Sequence, residues 1–547
     1  MDAVEAVLAD IGPCVSTKLV EELVERHGIS SAAARQRVSR STSIKRLAYL
    51  PFPRNARFVY RQASYGSPEF WESLASALLE HTSSYGGALA ALLARSGTMP
   101  LRHFGIACGA PAAQKRHLSP ETILAKLEQA KLVQTIDIPG IGACIQLSQQ
   151  AAPDSFEIAR MRARLRTEEV LLLAIKSWAR SLGLVSYNRV LLRDEAPDGQ
   201  PRVGTFFWDL AGPSYLAPMR ELAGSKLKPG FLACDVLLGT AVTVTHVKPF
   251  ISKCRTLRSL KGIGRCLQIF VAEGYEPEAF TLLKSEGAVA ATTETLFGSE
   301  IAAALVKLAD LLADVFPRDG NVETINQVFS SLSKIEGAAT NLRGDLFEFI
   351  VAEIIRRTEN PTELRMNEML YDGKGRKAEV DVLASKLSKE VRFVECRGYK
   401  PGGAVPDSYV ERWLDDRIPI IREAVKSHPF WRGYRLKFEF WATGNVSEAM
   451  RQRIADVQRT LSPSKYTVEL VDKEGVKALC SKAGGGSLQE TLDEHFFEHP
   501  LVTARRTVER REARNRLRAL RVRTKRSGTV VEDFVRSDNE TEGESQD

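Results

Sequence analysis

No two of the eight cysteines stand in a Cys-x-x-Cys pair, so neither a zinc ribbon nor a disulfide framework is indicated, and a reducing cytoplasm is the expected home. No apolar run approaches the ~20 residues a membrane span needs. The opening stretch MDAVEAVLADIG has no basic segment leading into an apolar one, so no secretory signal is expected. A Gly-x4-Gly-Lys-Ser/Thr loop is missing, which removes support for nucleotide hydrolysis. Gly262 and Gly264 in KGIGRC lack the third glycine of a dinucleotide site. There is no Gly-x-Ser-x-Gly elbow and no His-Glu-x-x-His pair, so serine hydrolase and zinc protease readings fall away.

What is present is an ordinary globular composition spread over 547 residues, 44% hydrophobic and 26% charged. At roughly 100–200 residues per domain, this length requires several cores. The net charge is +8 and the pI about 9.0, which points to a polyanionic partner. The positive charge concentrates in RRTVERREARNRLRALRVRTKR, where Arg505, Arg506, Arg510, Arg511 and Arg514 suit a phosphate-contacting arm. A solvated basic helix is the alternative reading of the same residues, and the acidic end that follows reads as a disordered tail.

The N-terminal 1–66 reads as three helices followed by a hairpin around Pro53-Arg54-Asn55. TKLVEELVERHG has helical apolar spacing and stops at Gly28. SSAAARQRVSRS is small and basic, with Ser30 or Ser31 as its cap. This order resembles a winged helix-turn-helix, which would set Arg35, Arg37 and Arg40 near a major groove. Residues 67–150 read as a second unit of that kind, with IPGIGACIQL as a wing strand, and a linker follows at 149–155.

From 156 onward one plan recurs: helix, strand, strand, helix, strand, helix, strand. In 335–482 the succession is NLRGDLFEFIVAEIIRR, AEVDVLA, VRFVECRG, SYVERWLDDRIPIIREAV, RLKFEFWATG, VSEAMRQRIADVQ and YTVELVD. In 156–315 it is RTEEVLLLAIKSWARSLG, GTFFWDLAG, GFLACDVLLG, a helix after Pro249, LQIFVAEG, PEAFTLLKSEG and AVAATT. KAGGGSLQE, at 482–490, reads as a flexible joint before a terminal helix.

Asp381 and Glu395 lie on consecutive strands of the later unit, with 382–394 as the hairpin. Side chains that share a face on adjacent strands are only ~5 Å apart, close enough for hard oxygen ligands to meet. Glu348, on the preceding helix, can reach the same point. A helix Glu, then a strand Asp, then Glu-x-cation on the next strand resembles the PD-(D/E)xK, or restriction-endonuclease-like, nuclease superfamily. The resemblance implies Mg²⁺- or Mn²⁺-dependent cleavage of DNA phosphodiesters. It implies metal ligation by Asp381 and Glu395, with Glu348 as the supporting acid.

The chain departs from that pattern where the catalytic lysine should stand. The residue is Arg397, which keeps the charge but is never deprotonated. Lys400 is either a migrated replacement or a surface lysine. In the earlier unit Asp209 corresponds to Asp381 and Asp235 to Glu395, but Leu237 occupies the cation position, so 156–315 reads as a degenerate copy. An alternative alignment would put His246 at the ligand position.

The expected architecture is therefore multidomain α/β plus α. Winged-helix-like units precede two tandem restriction-endonuclease-like domains, and 488–547 forms a basic helix and acidic tail. The expected function is a metal-dependent DNA endonuclease of the cytoplasm and nucleoid, serving bacterial restriction, phage defence or DNA repair. DNA, and a homodimer or subunits of a defence or repair complex, are its expected partners; a membrane is not. The alternative is a catalytically inactive DNA-binding regulator or assembly partner, or an adaptor using these domains for protein contacts.

Overall fold

The computed structural model describes residues 2–497 apart from 82–83, 196–199, 224–225, 261–262, 315–320, 334, 336–337, 388 and 461–465. The basic stretch holding Arg505, Arg506, Arg510, Arg511 and Arg514, and the acidic tail, lie outside the described residues. Among the described residues no helix is long and apolar enough to cross a membrane.

The chain begins with two small units of like topology. In the first, helices Ala3–Ile11, Ser16–His27 and Ser31–Arg40 pack on a three-stranded sheet ordered Cys14–Val15, Phe58–Tyr60, Lys45–Arg46. Ser30 caps the third helix by accepting from the Ala33 N–H at 3.2 Å. Only Ala34 and Val38 of that helix enter the core, so Arg35, Arg37 and Arg40 stand exposed. The second unit repeats the scheme. Its sheet runs Thr98–Pro100, Gly142–Leu147, Val133–Ile138, so the strand last in sequence is again central.

Two larger α/β units follow, and their sheets are built alike. The earlier sheet runs Leu191–Leu192, Leu210–Ser214, Gly230–Leu237, Cys266–Ala272, Val289–Thr292. The later one runs Glu363–Tyr371, Lys377–Lys386, Glu390–Arg397, Arg435–Ala442, Tyr466–Val471. In both, the first three strands pair antiparallel and the last three parallel. Central strands such as GFLACDVL are apolar almost throughout because helices cover both faces of the sheet. One core joins the inner faces of the two sheets through helices Ser155–Ser181, Thr293–Ala313, Asn321–Leu332 and Ala338–Glu359. A separate core fills each outer face.

Three expectations are corrected here. The later unit has an additional first strand, Glu363–Tyr371, which period-two alternation did not reveal. The helix expected after Pro249 starts at Val244, with Thr243 and His246 forming a reciprocal cap; His246 is thereby committed to the helix start and not to a ligand position. The 482–490 stretch turns through Gly484, Gly485 and Gly486, all at positive φ. Leu488, Leu492 and Phe496 beyond it are buried in the shared core, so 487–497 belongs to the later unit.

Candidate active site

Both sheets carry their acidic pair at one register position. The ladder between Lys377–Lys386 and Glu390–Arg397 ends at Val382 opposite Val394. One step further sets Asp381 opposite Glu395. The ladder between Leu210–Ser214 and Gly230–Leu237 ends at Leu210 opposite Cys234, and the same step sets Asp209 opposite Asp235. At each aspartate the strand also changes phase. Ala378 and Val380 face the outer core whereas Val382 and Ala384 face the inner one, although all four have the same parity. Phe206 and Trp208 face outward and Leu210 inward in the same way. A break in the pleat re-aims a side chain. Here it leaves each aspartate free to take the N–H just past the opposing acid: Asp381 Oδ2 accepts from Cys396 at 2.7 Å, and Asp209 Oδ2 from Val236 at 2.8 Å.

In the later unit Arg397 bonds one oxygen of Glu395 and lies 3.3 Å from Asp381 Oδ2. Arg417 bonds the other oxygen of Glu395. Arg417 lies on a π-helical turn, Trp413–Arg417, inside the helix that follows the second acidic strand; such turns gather at functional sites. Gly398 lets this strand end close on the helix Ala338–Glu359, since a Cβ there would sit 2.3 Å from the Arg343 carbonyl oxygen. That close approach brings Glu348 to the site. Glu348, Asp345, Glu379, Asp381, Arg397 and Arg417 line one cavity of about 520 Å³.

The charges there are unbalanced. Burial, reinforced by Asp381, Asp345 and Glu379, pushes the Glu348 carboxyl well above its usual range, and Arg397 offsets this only in part. Burial and then Asp381 raise Glu395 to about 7 despite its two arginines. Burial raises Asp345 to about 6, against the opposing pull of Arg166. The helix Ser155–Ser181 of the earlier unit roofs the cavity: Arg162 lies 3.1 Å from Glu379 and Arg166 lies 3.2 Å from Asp345.

In the earlier unit the corresponding acids are closed off. Arg193 bonds Asp209 at 3.0 Å and Glu168 at 2.7 Å, all three side chains being buried. Asp235 pairs with the fully buried Lys253. Burial would raise Asp209, but Arg193, the Val236 N–H, His103 and Arg95 together outweigh it and hold the acid below its usual range. Burial raises Asp235 to about 6 against the pull of Lys253. Lys253 also donates to the Phe207 carbonyl at 2.9 Å, as Arg417 does to Glu379 at 3.5 Å. Each of those carbonyls lies two residues before the strand aspartate. The cation missing at Leu237 is therefore supplied from the next helix.

The structure thus brings together Glu348, Asp381, Glu395 and Arg397. It does not bring in Lys400, which is exposed, lies off the cavity lining and has its carbonyl bonded by the Gly403 N–H at 2.9 Å. Sequence reasoning missed Arg417, Lys253 and Arg193. The duplication itself held the signal for the first two, because each follows its second acidic strand on the next helix. Register identifies Arg193: it extrapolates to a position opposite Asp209, where the later unit has Asn367, at φ 54°.

As a metal site, the set Glu348, Asp381 and Glu395 has the right donor type, all hard oxygen. Burial and the neighbouring acids disfavour the charged form of Glu348, an effect that a divalent cation would offset. Glu395 is at present held by arginines on both oxygens, and among the described residues no three His, Cys, Asp or Glu are arranged as a ready metal cluster. No family model, curated protein or solved structure matches the chain.

Proposed function

We propose that the chain is a divalent-cation-dependent DNA endonuclease whose reaction centre is Glu348, Asp381, Glu395, Arg397 and Arg417. The observation that carries this reading is the charge-unbalanced carboxylate cluster, set at a break in the pleat beside fixed cations. Support also comes from the order of elements: a helix, three antiparallel strands, a helix and a parallel strand, as in restriction-endonuclease-like folds. Mg²⁺ or Mn²⁺ held by Asp381, Glu395 and Glu348 would supply Lewis-acid activation of the phosphate and of water. Arg397 and Arg417 act as permanent positive charges on the phosphate and cannot serve as bases. The Glu348 carboxyl, raised well above its usual range by burial and the neighbouring acids, is the group suited to holding a proton.

Duplex contact falls to the two N-terminal units, read as winged helices, with exposed Arg35, Arg37 and Arg40 on the groove-facing helix. The earlier α/β unit, its acids neutralised by Arg193 and Lys253, acts as a scaffold and roof. Restriction, phage defence or repair at the nucleoid is the setting such an activity would serve.

A second reading, a silent DNA-binding regulator, is favoured by the clamping of both Glu395 oxygens. Plasmid and linear DNA cleavage in Mg²⁺ or Mn²⁺ separates the two. Cleavage by the parent that is lost in Asp381→Ala and Glu395→Ala supports the enzyme. Salt-dependent DNA binding without cleavage supports the regulator.

A further inference from the structure

A second cavity, of about 480 Å³, lies on the other side of the helix Ser155–Ser181. It opens at the carboxyl ends of the parallel strands Gly230–Leu237 and Cys266–Ala272, where Leu238, Gly239 and Glu273 line it. Open α/β sheets bind their ligands outside the carboxyl ends of parallel strands. The volume falls within the range of small-molecule sites.

Arg95, Arg160 and Arg164 line it together with three carboxylates, Glu157, Glu273 and Asp310, over an apolar floor that includes Met161, Leu238 and Val306. The Nε of Arg164 is buried and has no hydrogen-bond partner among the described residues. Burial brings Arg164 down to about 10 against the pull of Glu168, and Arg95 pushes it the same way. Gly239 sits at φ 79°, a backbone conformation that favours glycine, beside the Arg164 stem. Two of the lining carboxylates are already engaged: Glu157 accepts from Asp154 N–H at 3.1 Å and Glu273 from Gly239 N–H at 3.1 Å. A desolvated guanidinium whose Nε lacks a hydrogen-bond partner, beside a second arginine, suits an anion that accepts from several planar donors, which is what a phosphate does.

We infer that this cavity binds a nucleoside monophosphate, either free or as the 5′-terminal nucleotide of a strand, with its phosphate on Arg95, Arg160 and Arg164 and its base on Met161, Leu238 and Val306. The site is independent of the reaction centre proposed above.

The test is calorimetric titration of the full-length protein in EDTA. The probes are deoxyadenosine 5′-monophosphate, deoxyadenosine, and a hexanucleotide with and without a 5′-phosphate. The expected result is that the phosphorylated probe binds at least ten-fold more tightly than its unphosphorylated counterpart. Arg164→Met should weaken it by roughly ten- to hundred-fold, the loss expected for hydrogen bonds to a charged group. If only the hexanucleotide shows this preference, the strand end is the source. Arg160→Gln, at the exposed rim, should weaken binding several-fold, and it decides the matter alone if Arg164→Met does not fold. Equal binding of phosphorylated and unphosphorylated probes, no binding of any, or binding unaffected by the folded variants overturns the assignment.

Discussion

Arg193 is the strongest single test of how the earlier α/β unit is built. Its guanidinium joins Glu168 and Asp209, with the three residues only 7%, 1% and 2% exposed. Arg193→Met keeps an apolar stem of similar length and leaves two buried carboxylates without their shared cation. Removing one partner of a buried ion pair costs about 3–5 kcal/mol. That is a large share of the 5–15 kcal/mol typical of a whole domain. A triple variant, Arg193→Met with Glu168→Gln and Asp209→Asn, removes the stranded charge while keeping acceptors for the Leu238 and Val236 N–H groups. It should recover most of the loss. Because Arg193 is the largest of the groups that hold Asp209 low, the acid should protonate more readily in the single variant, whose deficit should shrink as pH falls. A chain with several cores does not unfold in one step, so the assay is pulse proteolysis in urea, following fragments from 156–315. A folded single variant within about 1 kcal/mol of the parent at pH 7.5 would refute the reasoning. So would a triple variant no more stable than the single one.

The later unit should respond in the opposite sense. Burial and the neighbouring acids disfavour the charged form of Glu348 in the folded protein but not in the unfolded chain, so in EDTA at pH 8 Glu348→Gln should stabilise the protein by about 1–3 kcal/mol in urea and, on the proposed function, abolish DNA cleavage. A destabilised variant would show that Glu348 already has a cation. Gly398→Ala forces a Cβ to within 2.3 Å of the Arg343 carbonyl and should cost about 1–3 kcal/mol; a urea midpoint equal to the parent's would contradict that close approach. His495 is buried against Phe329 and bonded to Asn326 at 2.8 Å. Burial, with Arg343 adding to it, lowers His495 from 6.5 to about 4. The unfolded chain therefore binds the proton first. The contribution is complete above about pH 6.5 and is lost as pH falls towards about 4, by roughly 3 kcal/mol in all. His495→Gln should flatten that part of the stability–pH curve, and an unchanged slope would reject the assignment.

Much of this architecture is written in local pattern. Apolar periodicity, cap residues and glycine stops mark most helices. The apolar runs around Asp381 and Glu395 mark two strands whose acids must be close, because neighbouring strands leave them no other distance. The recurrence of the plan in 156–315 is likewise visible in the order of its elements. Glu363–Tyr371 escaped because its pleat changes phase near Asn367: Met366 faces one core and Leu370 the other, so the two-residue period on which a strand is recognised is broken. Arg397 and Lys400 both follow Glu395 within a few residues, yet only Arg397 turns towards it. Whether an arginine or lysine serves a carboxylate depends on which helix packs over the sheet, at what height, and on which edge strand pairs in which register. That brought Arg417 to Glu395, Lys253 to Asp235 and Arg193 to Asp209, partners 22, 18 and 16 residues apart. Local pattern was enough for most of the elements and for the acids, though not for the strand Glu363–Tyr371. Only tertiary packing decided which acids are neutralised and which are left unmet, because the energy of a buried charge depends on what surrounds it in space.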